Sequence, residues 1–252
     1  MSLNVLDAPP RPSRGLLDGR SLSVVIPAYN EERRLPATLA RVRAFAASAG
    51  LDVEILVVDD GSRDGTREAV LRAAADAPEI RLLTYGGNRG KGYAVRAGVL
   101  QARREAVLFS DADLSTPIEE LRALWPRLDQ GCDIAIASRK MSRSRITVRQ
   151  PWPRQVAGRV FNTVISTIGV RGFRDTQCGF KLFKAPVARR IFSALKTSGF
   201  AFDVEVLLRA RRLGLQVAEV PVRWENSGDS RVSFVRDSLR MLREVLKMRT
   251  WL

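Results

Sequence analysis

Groups of residues able to do chemistry follow three of the apolar runs in this chain. Residues 27–31 (Pro-Ala-Tyr-Asn-Glu), 59–62 (Asp-Asp-Gly-Ser) and 111–113 (Asp-Ala-Asp) each close such a run. Crowded carboxylates raise each other's pKa, so they persist mainly where a cation or hydrogen-bond donors join them. A site of oxygen ligands suits Mg²⁺ or Mn²⁺, and Mg²⁺ commonly uses one or two carboxylates together with substrate phosphates.

The chain contains no histidine. This absence excludes Ser-His-Asp and Cys-His catalysis, HExxH zinc sites and any imidazole base. The two cysteines, Cys132 and Cys178, are too few for a disulfide framework or a four-cysteine zinc site, and they fit a reducing compartment. Any chemistry must therefore use carboxylates, lysine, arginine, backbone amides or a metal held by oxygen ligands.

A glycine-rich stretch at residues 86–92 (Gly-Gly-Asn-Arg-Gly-Lys-Gly) is similar to a phosphate-binding loop. It lacks the Walker pattern, because Tyr85 stands at the first glycine position and Gly92 at the Ser/Thr position. It also lacks GxGxxG, because Val95 stands at the last glycine position. The stretch argues against a Walker NTPase and a standard dinucleotide site, but its amides and Lys91 suit a phosphate at a helix N-terminus.

Alternating strands and helices must position these groups. The apolar patterns predict strands over 22–26, 53–58, 80–85, 106–110 and 133–138, and helices over 31–49, 66–75, 92–103 and 117–129. This alternation predicts an α/β fold with a parallel sheet, whose ligands bind at the carboxyl ends of the strands. Residues 1–20 are expected to form a flexible N-terminal arm.

Each motif alone has a plainer explanation. A lone Asp-x-Asp is usually a turn or a helix cap, and residues 59–61 could be only a turn after a strand. In order along the chain, each group follows a predicted strand, and Arg139 follows the fifth. That combination is far more specific than any part, and it predicts one shared crevice.

The charge of the chain is concentrated in its second half. The net charge is +15; residues 21–130 carry 15 basic and 16 acidic side chains, whereas residues 131–252 carry 24 and 9. Such a basic half favours a polyanion, either nucleic acid or an anionic membrane surface. No nucleic-acid-binding motif is recognised and few aromatic residues interleave the basic runs, so we expect the membrane surface and no nucleic acid.

Two basic segments could meet a membrane. Residues 160–168 are mainly apolar beside Arg154 and Arg159, and residues 231–252 carry six basic and two acidic side chains among apolar ones. Both are typical of amphipathic helices at an interface, and both also fit core-packing helices with a solvated basic face. No run is long enough to span a bilayer and no signal peptide is recognised, so we expect a cytoplasmic protein, peripheral on the cytosolic face of a membrane.

The ordered motifs resemble those of family 2 glycosyltransferases of GT-A fold. Residues 24–32, 57–66, 88–92 and 111–113 carry this resemblance. Three later segments resemble the polyprenyl-phosphate branch, in particular dolichyl-phosphate β-glucosyltransferases; they are 175–181 (Asp-Thr-Gln-Cys-Gly-Phe-Lys), 202–205 (Phe-Asp-Val-Glu) and 219–224 (Glu-Val-Pro-Val-Arg-Trp).

The resemblance implies a domain organisation and a reaction. A Rossmann-like, mostly parallel GT-A domain would span residues 21–230, with a nucleotide-sugar half at 21–138 and an acceptor half at 139–230. A basic amphipathic helix would follow at 231–252. The implied reaction is inverting transfer of a sugar, glucose from UDP-glucose rather than a GDP-sugar, to a polyprenyl or dolichyl phosphate.

The resemblance also implies roles for individual residues, and the glycine-rich loop adds Lys91 to them. The nucleotide-binding set is Pro27, Ala28, Tyr29, Glu31, Val57, Asp59, Lys91, Asp111, Ala112 and Asp113. The metal ligands for Mg²⁺ or Mn²⁺ would be Asp113 and Asp111, and the catalytic set would be Asp111, Asp113 and Arg139. The acceptor set is Arg139, Gln177, Lys181 and Asp203. The chain departs from the family at Ser115, where relatives often have a stronger oxygen ligand, and at Tyr93, which replaces a small residue.

The nature of the acceptor decides whether a base is needed. A phosphate acceptor is already anionic at neutral pH, which suits a site without histidine, whereas a hydroxyl acceptor needs a carboxylate base. Asp203 and Glu205 are the candidates for that base, and both equally fit the first turn of a helix. Two alternatives therefore stay open: a soluble or polysaccharide hydroxyl acceptor, and a non-catalytic nucleotide-binding membrane module, against which the intact Asp111 and Asp113 argue. The sequence leaves the oligomeric state open.

Overall fold

A seven-stranded sheet forms the centre of the protein in a computed structural model, which describes residues 15–142, 144–148, 172–225 and 241–248. The strands of this sheet are β1 (Ser21–Ala28), β2 (Asp52–Asp59), β3 (Ile80–Thr84), β4 (Ala106–Ser110), β5 (Ile134–Ser138), β7 (Phe180–Lys184) and β8 (Val217–Pro221). Two further strands, β6 (Arg145–Val148) and β9 (Arg223–Glu225), pair with each other in parallel.

The strand order is β3-β2-β1-β4-β7-β5-β8. Strands β1 to β4 are parallel where they pair, and β5 pairs in parallel with β8. Strand β7 is antiparallel to both of its neighbours, β4 and β5. The prediction of a mostly parallel α/β sheet is confirmed, with β7 as an exception that the sequence did not indicate. The carboxyl ends of β1, β2, β4 and β5 lie at one edge, which is also where β7 begins.

Helices cover both faces of the sheet. They are α1 (Leu35–Ala49), α2 (Thr66–Ala75), α3 (Lys91–Leu100), α4 (Leu121–Asp129), α5 (Ala185–Ser193), α6 (Phe202–Arg212) and residues 241–248, with a 3-10 turn at Ile118–Glu120. Alternate side chains of a strand point to opposite faces, so Val24 and Ile26 join the core under α1 and α4, whereas Val25 joins the core under α3, α5 and α6. Two apolar cores therefore hold the sheet rigid from both sides.

The predicted elements of the first half agree with the structure to within a few residues. The largest differences are the starts of α1, predicted at Glu31 and observed at Leu35, and of α4, predicted at 117 and observed at Leu121. Pro36 lies in the first turn of α1, where proline is well accommodated because its missing N–H has no intrahelical partner there. Residues 31–34 instead form a turn, in which the Glu31 carboxylate accepts hydrogen bonds from the Arg34 guanidinium at 2.8 Å.

The ends of the chain are described only in part. Of the predicted arm at 1–20, residues 15–20 lie against the domain: Leu17 is buried in the core, and the Gly19 amide donates to the Gly50 carbonyl at 3.0 Å. Residues 1–14, the basic segment 160–168 and residues 231–240 and 249–252 of the predicted C-terminal helix lie outside the described residues. Within the described part of the chain, no helix is long and apolar enough to cross a membrane.

Candidate active site

The sheet register brings the polar strand ends to one edge. Ala28 at the end of β1 pairs with Asp59 at the end of β2, and Ser110 at the end of β4 pairs with Phe180. Asp59, Asp111 and Arg139 each lie at or directly after the carboxyl end of a strand. These ends form the crevice that a parallel sheet offers to ligands.

The residues predicted to contact the nucleotide lie at the ends of β1 and β2. Pro27 and Ala28 are the last residues of β1, and Val57 is buried in β2 opposite Ile26. Tyr29 is 37% exposed, which leaves its ring accessible at the edge of the sheet. The amide of Glu31 donates to the Thr66 hydroxyl at 2.7 Å, so this turn is tied to the start of α2.

The two adjacent carboxylates at the end of β2, Asp59 in the strand and Asp60 directly after it, have different partners. Asp59 accepts a hydrogen bond from the Ser62 amide at 2.9 Å. Asp60 accepts the Tyr85 hydroxyl at 2.8 Å and the backbone amides of Arg89 at 2.7 Å and Gly90 at 2.9 Å. Asp60 therefore fastens the glycine-rich loop to the end of β2, a role that the sequence analysis missed because its signal was the same as that of Asp59.

The glycine-rich loop packs against residues 197–199. Gly90 has a φ of +98°, and a Cβ added there would lie 2.5 Å from the Ser198 carbonyl oxygen. A Cβ at Gly92 would lie 2.6 Å from the Thr197 carbonyl oxygen. The two glycines thus permit a backbone approach that no other residue allows, and this approach fixes where Lys91 begins α3.

Lys91 reaches across the crevice to Asp111. Its Nζ lies 2.6 Å from Asp111 Oδ1 and 5.3 Å from the centre of the Phe109 ring. Burial would lower the pKa of Lys91, but the charges of Asp111 and Asp203 outweigh it and raise that pKa. The structure therefore brings together the lysine of the glycine-rich loop and a predicted metal ligand.

Asp113 lies in the turn that follows β4. Its Oδ1 accepts the Ser115 amide at 2.9 Å, and Leu114 between them has a φ of +45°. The carbonyl of the buried Ala112 accepts the Thr38 hydroxyl at 2.6 Å, which holds the turn against α1. Among the described residues no group of three or more His, Cys, Asp or Glu could hold a metal. Two carboxylates at this turn fit an ion whose other ligands are diphosphate oxygens and water.

Arg139 forms a two-point ion pair with the buried Asp175. Its Nε lies 2.6 Å from Asp175 Oδ2 and its Nη2 lies 2.8 Å from Asp175 Oδ1. Burial opposes charge on both groups, but the pairing raises the pKa of Arg139 and lowers the pKa of Asp175 well below its ordinary value. The guanidinium also lies 5.6 Å from the Trp224 ring centre.

Lys181 and Asp203 form a second ion pair beneath the crevice. Lys181 is 1% exposed; its Nζ donates to the Cys178 carbonyl at 2.7 Å and to the Asp203 carboxylate. Burial raises the pKa of Asp203, although Lys181 and Lys91 favour its charged form. The half-buried Gln177 contacts Met241 through its amide nitrogen, 3.8 Å from the sulfur. Of the predicted acceptor residues, Arg139 and Gln177 are partly exposed, whereas Lys181 and Asp203 are buried.

Glu205, the other carboxylate considered as a base, is fully engaged. Its oxygens accept the amides of Lys196 at 2.9 Å and Thr197 at 2.7 Å, and the Arg209 Nε at 2.7 Å. Glu205 therefore anchors the segment that supports Gly90 and Gly92. The charge of Asp203, by contrast, acts on Lys91 and favours its protonated form.

Comparison with known proteins identifies the family. Residues 23–192 match the family described as Glycosyl transferase family 2. The chain belongs to glycosyl transferase family 2. Family 2 members named dolichyl-phosphate beta-glucosyltransferase are similar over most of this chain: that of Drosophila melanogaster is 38% identical over 89% of this chain and 73% of its own length. The human protein of that name is 32% identical over 91% of this chain and 75% of its own length.

Solved structures agree with the fold of this family 2 chain. Mannosyl-3-phosphoglycerate synthase from Rubrobacter xylanophilus has a TM-score of 0.70 at 20% identity, over 93% of this chain and 76% of that one. Glucosyl-3-phosphoglycerate synthase from Mycobacterium tuberculosis, in complex with Mn²⁺ and UDP-glucose, has a TM-score of 0.69 at 18% identity, over 96% and 84% of the two chains. The GT-A fold expected from the sequence is therefore confirmed.

Proposed function

We propose that this family 2 glycosyltransferase moves glucose from UDP-glucose to a polyprenyl phosphate such as dolichyl phosphate, with inversion at the anomeric carbon. One observation carries the proposal: a crevice with a lysine and two carboxylates on one side and an oriented arginine on the other. The names of the relatives at 32% to 38% identity give the same acceptor and sugar.

The donor side comprises the ends of β1, β2 and β4. Pro27, Ala28, Tyr29 and Val57 would line the base and ribose, with Glu31 and Asp59 as acceptors for ribose or base N–H and O–H groups. Lys91 would face the diphosphate from the first turn of α3, since a helix N-terminus and an ammonium both favour phosphate. The amides of Arg89 and Gly90, which were also expected there, donate to Asp60 instead. Ala112 would lie beside the ribose and the sugar, between Asp111 and Asp113.

Asp113, with Asp111 beside it, would hold a divalent cation, Mg²⁺ or Mn²⁺. Bound there, the ion supplies positive charge for the departing diphosphate. Lys91 contributes further positive charge on the same side, and it needs only to exchange one oxygen partner, Asp111, for another. A displacement at the anomeric carbon builds negative charge on the leaving group, and fixed positive groups stabilise that charge without any proton transfer.

The acceptor side is built around Arg139. Its planar guanidinium suits phosphate, because parallel N–H groups can bind two oxygens at once. Gln177 lies two residues after Asp175, the partner of Arg139, and its side chain would give an amide donor beside the same phosphate. Lys181 and Asp203, buried beneath, would support the crevice rather than touch the acceptor. An anionic phosphate attacks without a base, which agrees with a chain that has no histidine.

The lipid acceptor implies contact with a membrane surface. We assign this contact to the basic second half, as a peripheral attachment on the cytosolic face. In the described helix 241–248, Arg243, Leu246 and Lys247 are exposed, whereas Met241 and Val245 are buried. Full-length protein should float with anionic vesicles at low salt and separate from them at about 1 M salt, where the screening length falls to about 3 Å.

Transfer of radiolabelled glucose tests the reaction directly. UDP-[¹⁴C]glucose and a polyprenyl phosphate in detergent should give a label that partitions into organic solvent, and the label should depend on a divalent cation. Polyprenol without phosphate is the matched control and should give none. Label that enters a soluble or polysaccharide hydroxyl acceptor instead would favour Asp203 as a base and overturn the phosphate assignment. UDP binding without any transfer would leave only a nucleotide-binding module.

A further inference from the structure

We propose that Asp175 is a positioning residue for the acceptor step: it holds the Arg139 guanidinium in a single orientation toward the incoming phosphate. The inference rests on the proposed function, because it assigns the acceptor phosphate to Arg139. Asp175 lies inside the protein, so it does not touch the substrate and acts through its hydrogen bonds to Arg139. Its contact with the backbone amide of Gln177 is longer, at 3.4 Å.

The contact between the two side chains fixes position and angle together. Asp175 Oδ2 accepts both the backbone amide of Arg139 at 3.0 Å and its Nε at 2.6 Å, while Oδ1 accepts Nη2 at 2.8 Å. Two of these hydrogen bonds come from the guanidinium and one from the backbone, so the carboxylate fixes the guanidinium plane relative to the main chain of Arg139. The edge formed by Nη1 and the second Nη2 hydrogen is turned away from Asp175.

Asp175 is itself held by the sheet. Its side chain is 0% exposed, and Glu219 accepts the backbone amides of Arg174 at 3.0 Å and Asp175 at 2.8 Å. Glu219 lies in β8, where it pairs with Ile136 of β5, two residues before the end of that strand. The orientation of Arg139 is therefore fixed by the sheet, through Asp175 and Glu219, and not by a surface loop.

Other contacts of Arg139 are consistent with a guanidinium whose free edge faces the donor side. The Arg139 side chain is 25% exposed and its guanidinium lies 5.6 Å from the Trp224 ring centre, so one face of its plane is covered. The charge of Asp111 acts on Arg139, which places the guanidinium within electrostatic reach of the donor side. Asp175 lowers the net positive charge beside the acceptor, so what it contributes to acceptor binding is the orientation of the Arg139 donors and not charge.

Asp175→Asn tests the inference in the full-length protein. We expect the acceptor KM to rise at least tenfold and kcat to fall by about a hundredfold, since a misplaced group costs about that much, while the Kd for UDP changes less than twofold. The Arg139→Ala variant should show a similar loss, and adding Asp175→Asn to it should cost no more than twofold further. The positioning role would be overturned if the losses of transfer from the two single variants multiplied in the double variant. It would also be overturned if Asp175→Asn weakened UDP binding as much as transfer.

Two more variants separate orientation from folding. Glu54→Gln is the matched control: Glu54 is buried and paired with Arg81 at 3.0 Å, but it lies five residues before the carboxyl end of β2, away from the crevice. It should leave the acceptor KM unchanged. Arg139→Lys keeps the charge and leaves Asp175 in place; it should lose at least tenfold in transfer, because lysine cannot present two parallel N–H groups.

The outcomes distinguish this inference from the proposed function. If Asp175→Asn does not fold, Arg139→Lys decides, and wild-type transfer by that variant overturns the inference. Normal acceptor KM in a folded Asp175→Asn protein overturns the inference alone. Absence of any transfer to polyprenyl phosphate by the wild type overturns the proposed function, and the inference falls with it.

Discussion

The buried pair of Lys181 and Asp203 allows a sharp prediction about stability. Lys181 is 1% exposed and the Asp203 side chain 6%, so water solvates neither group. Lys181→Met would remove one charge of the pair and leave the Asp203 carboxyl buried, with Lys91 still favouring its charged form. Breaking a buried pair in this way costs about 3 to 5 kcal/mol, which lowers the Tm of a protein of this size by roughly 6 to 20 °C.

The loss should depend on pH in a defined direction. Burial already raises the pKa of Asp203 in the wild type, and removing Lys181 raises it further, because Lys181 favours the carboxylate. Between the unfolded pKa of an aspartate, about 3.9, and the folded pKa, the folded protein binds one proton more than the unfolded chain. The free energy of unfolding therefore falls by about 1.4 kcal/mol per pH unit as the pH rises through that window, and the window extends to higher pH in the variant.

Urea unfolding followed by circular dichroism between pH 4.5 and 8 measures this dependence. Lys184→Met is the matched control on the same strand. Lys184 is 39% exposed and forms a long ion pair with Asp133, at 3.8 Å, so its removal should lower the free energy of unfolding by less than about 1 kcal/mol. The double variant Lys181→Met/Asp203→Leu should recover most of the loss. If Lys181→Met and Lys184→Met unfold at the same urea concentration at every pH, the assignment of a buried ion pair is refuted.

Three further changes test the donor side. Asp113→Asn should abolish transfer without lowering the free energy of unfolding, because it removes a charge from a turn and no core contact; near-wild-type turnover at saturating Mn²⁺ would contradict the metal assignment. Gly92→Ala should weaken UDP binding and destabilise the fold by about 1 to 3 kcal/mol, because the added Cβ would lie 2.6 Å from the Thr197 carbonyl oxygen. Gly86→Ala is the control: its Cβ would have nothing within 4 Å, so UDP binding and stability should both stay unchanged. Asp59→Ala should raise the Kd for UDP in calorimetry and leave the acceptor KM unchanged; an effect confined to the acceptor would place Asp59 outside the nucleotide site.

The first half of the fold could be predicted because its signals are local. Each strand is a short β-branched run that ends in polar residues, and each helix repeats apolar residues at helical spacing. Strand β7 (Phe180–Lys184) shows why the second half could not be predicted in the same way. Its position between β4 and β5, and its reversed direction, are set by pairings with residues far away in the chain.

The candidate site follows the same division. The strand-end rule brought Asp59, Asp111 and Arg139 to one edge from sequence alone. The partner of Arg139 could not be predicted, because Asp175 is 36 residues away and the motif at 175–181 does not indicate which side chain its first carboxylate binds. Glu205 shows the opposite case: its place in the first turn of a helix suited a cap or a base, and only tertiary contacts show that it holds residues 196 and 197.

The reversed strand β7 has a consequence for how this protein could change its acceptor. Strand β5 leaves the sheet at the crevice after Ser138, and β7 re-enters at the same edge with Phe180, beside Ser110. The chain that joins β5 to β7 therefore begins and ends at the same edge of the sheet, with Arg139 near its start and Asp175 near its end. Changes at the two described ends of this connection would alter the Arg139–Asp175 pair and leave the strand pairings of the nucleotide half in place. Because this connection is one continuous stretch of chain, its replacement could change the acceptor while the donor-binding strands keep their arrangement.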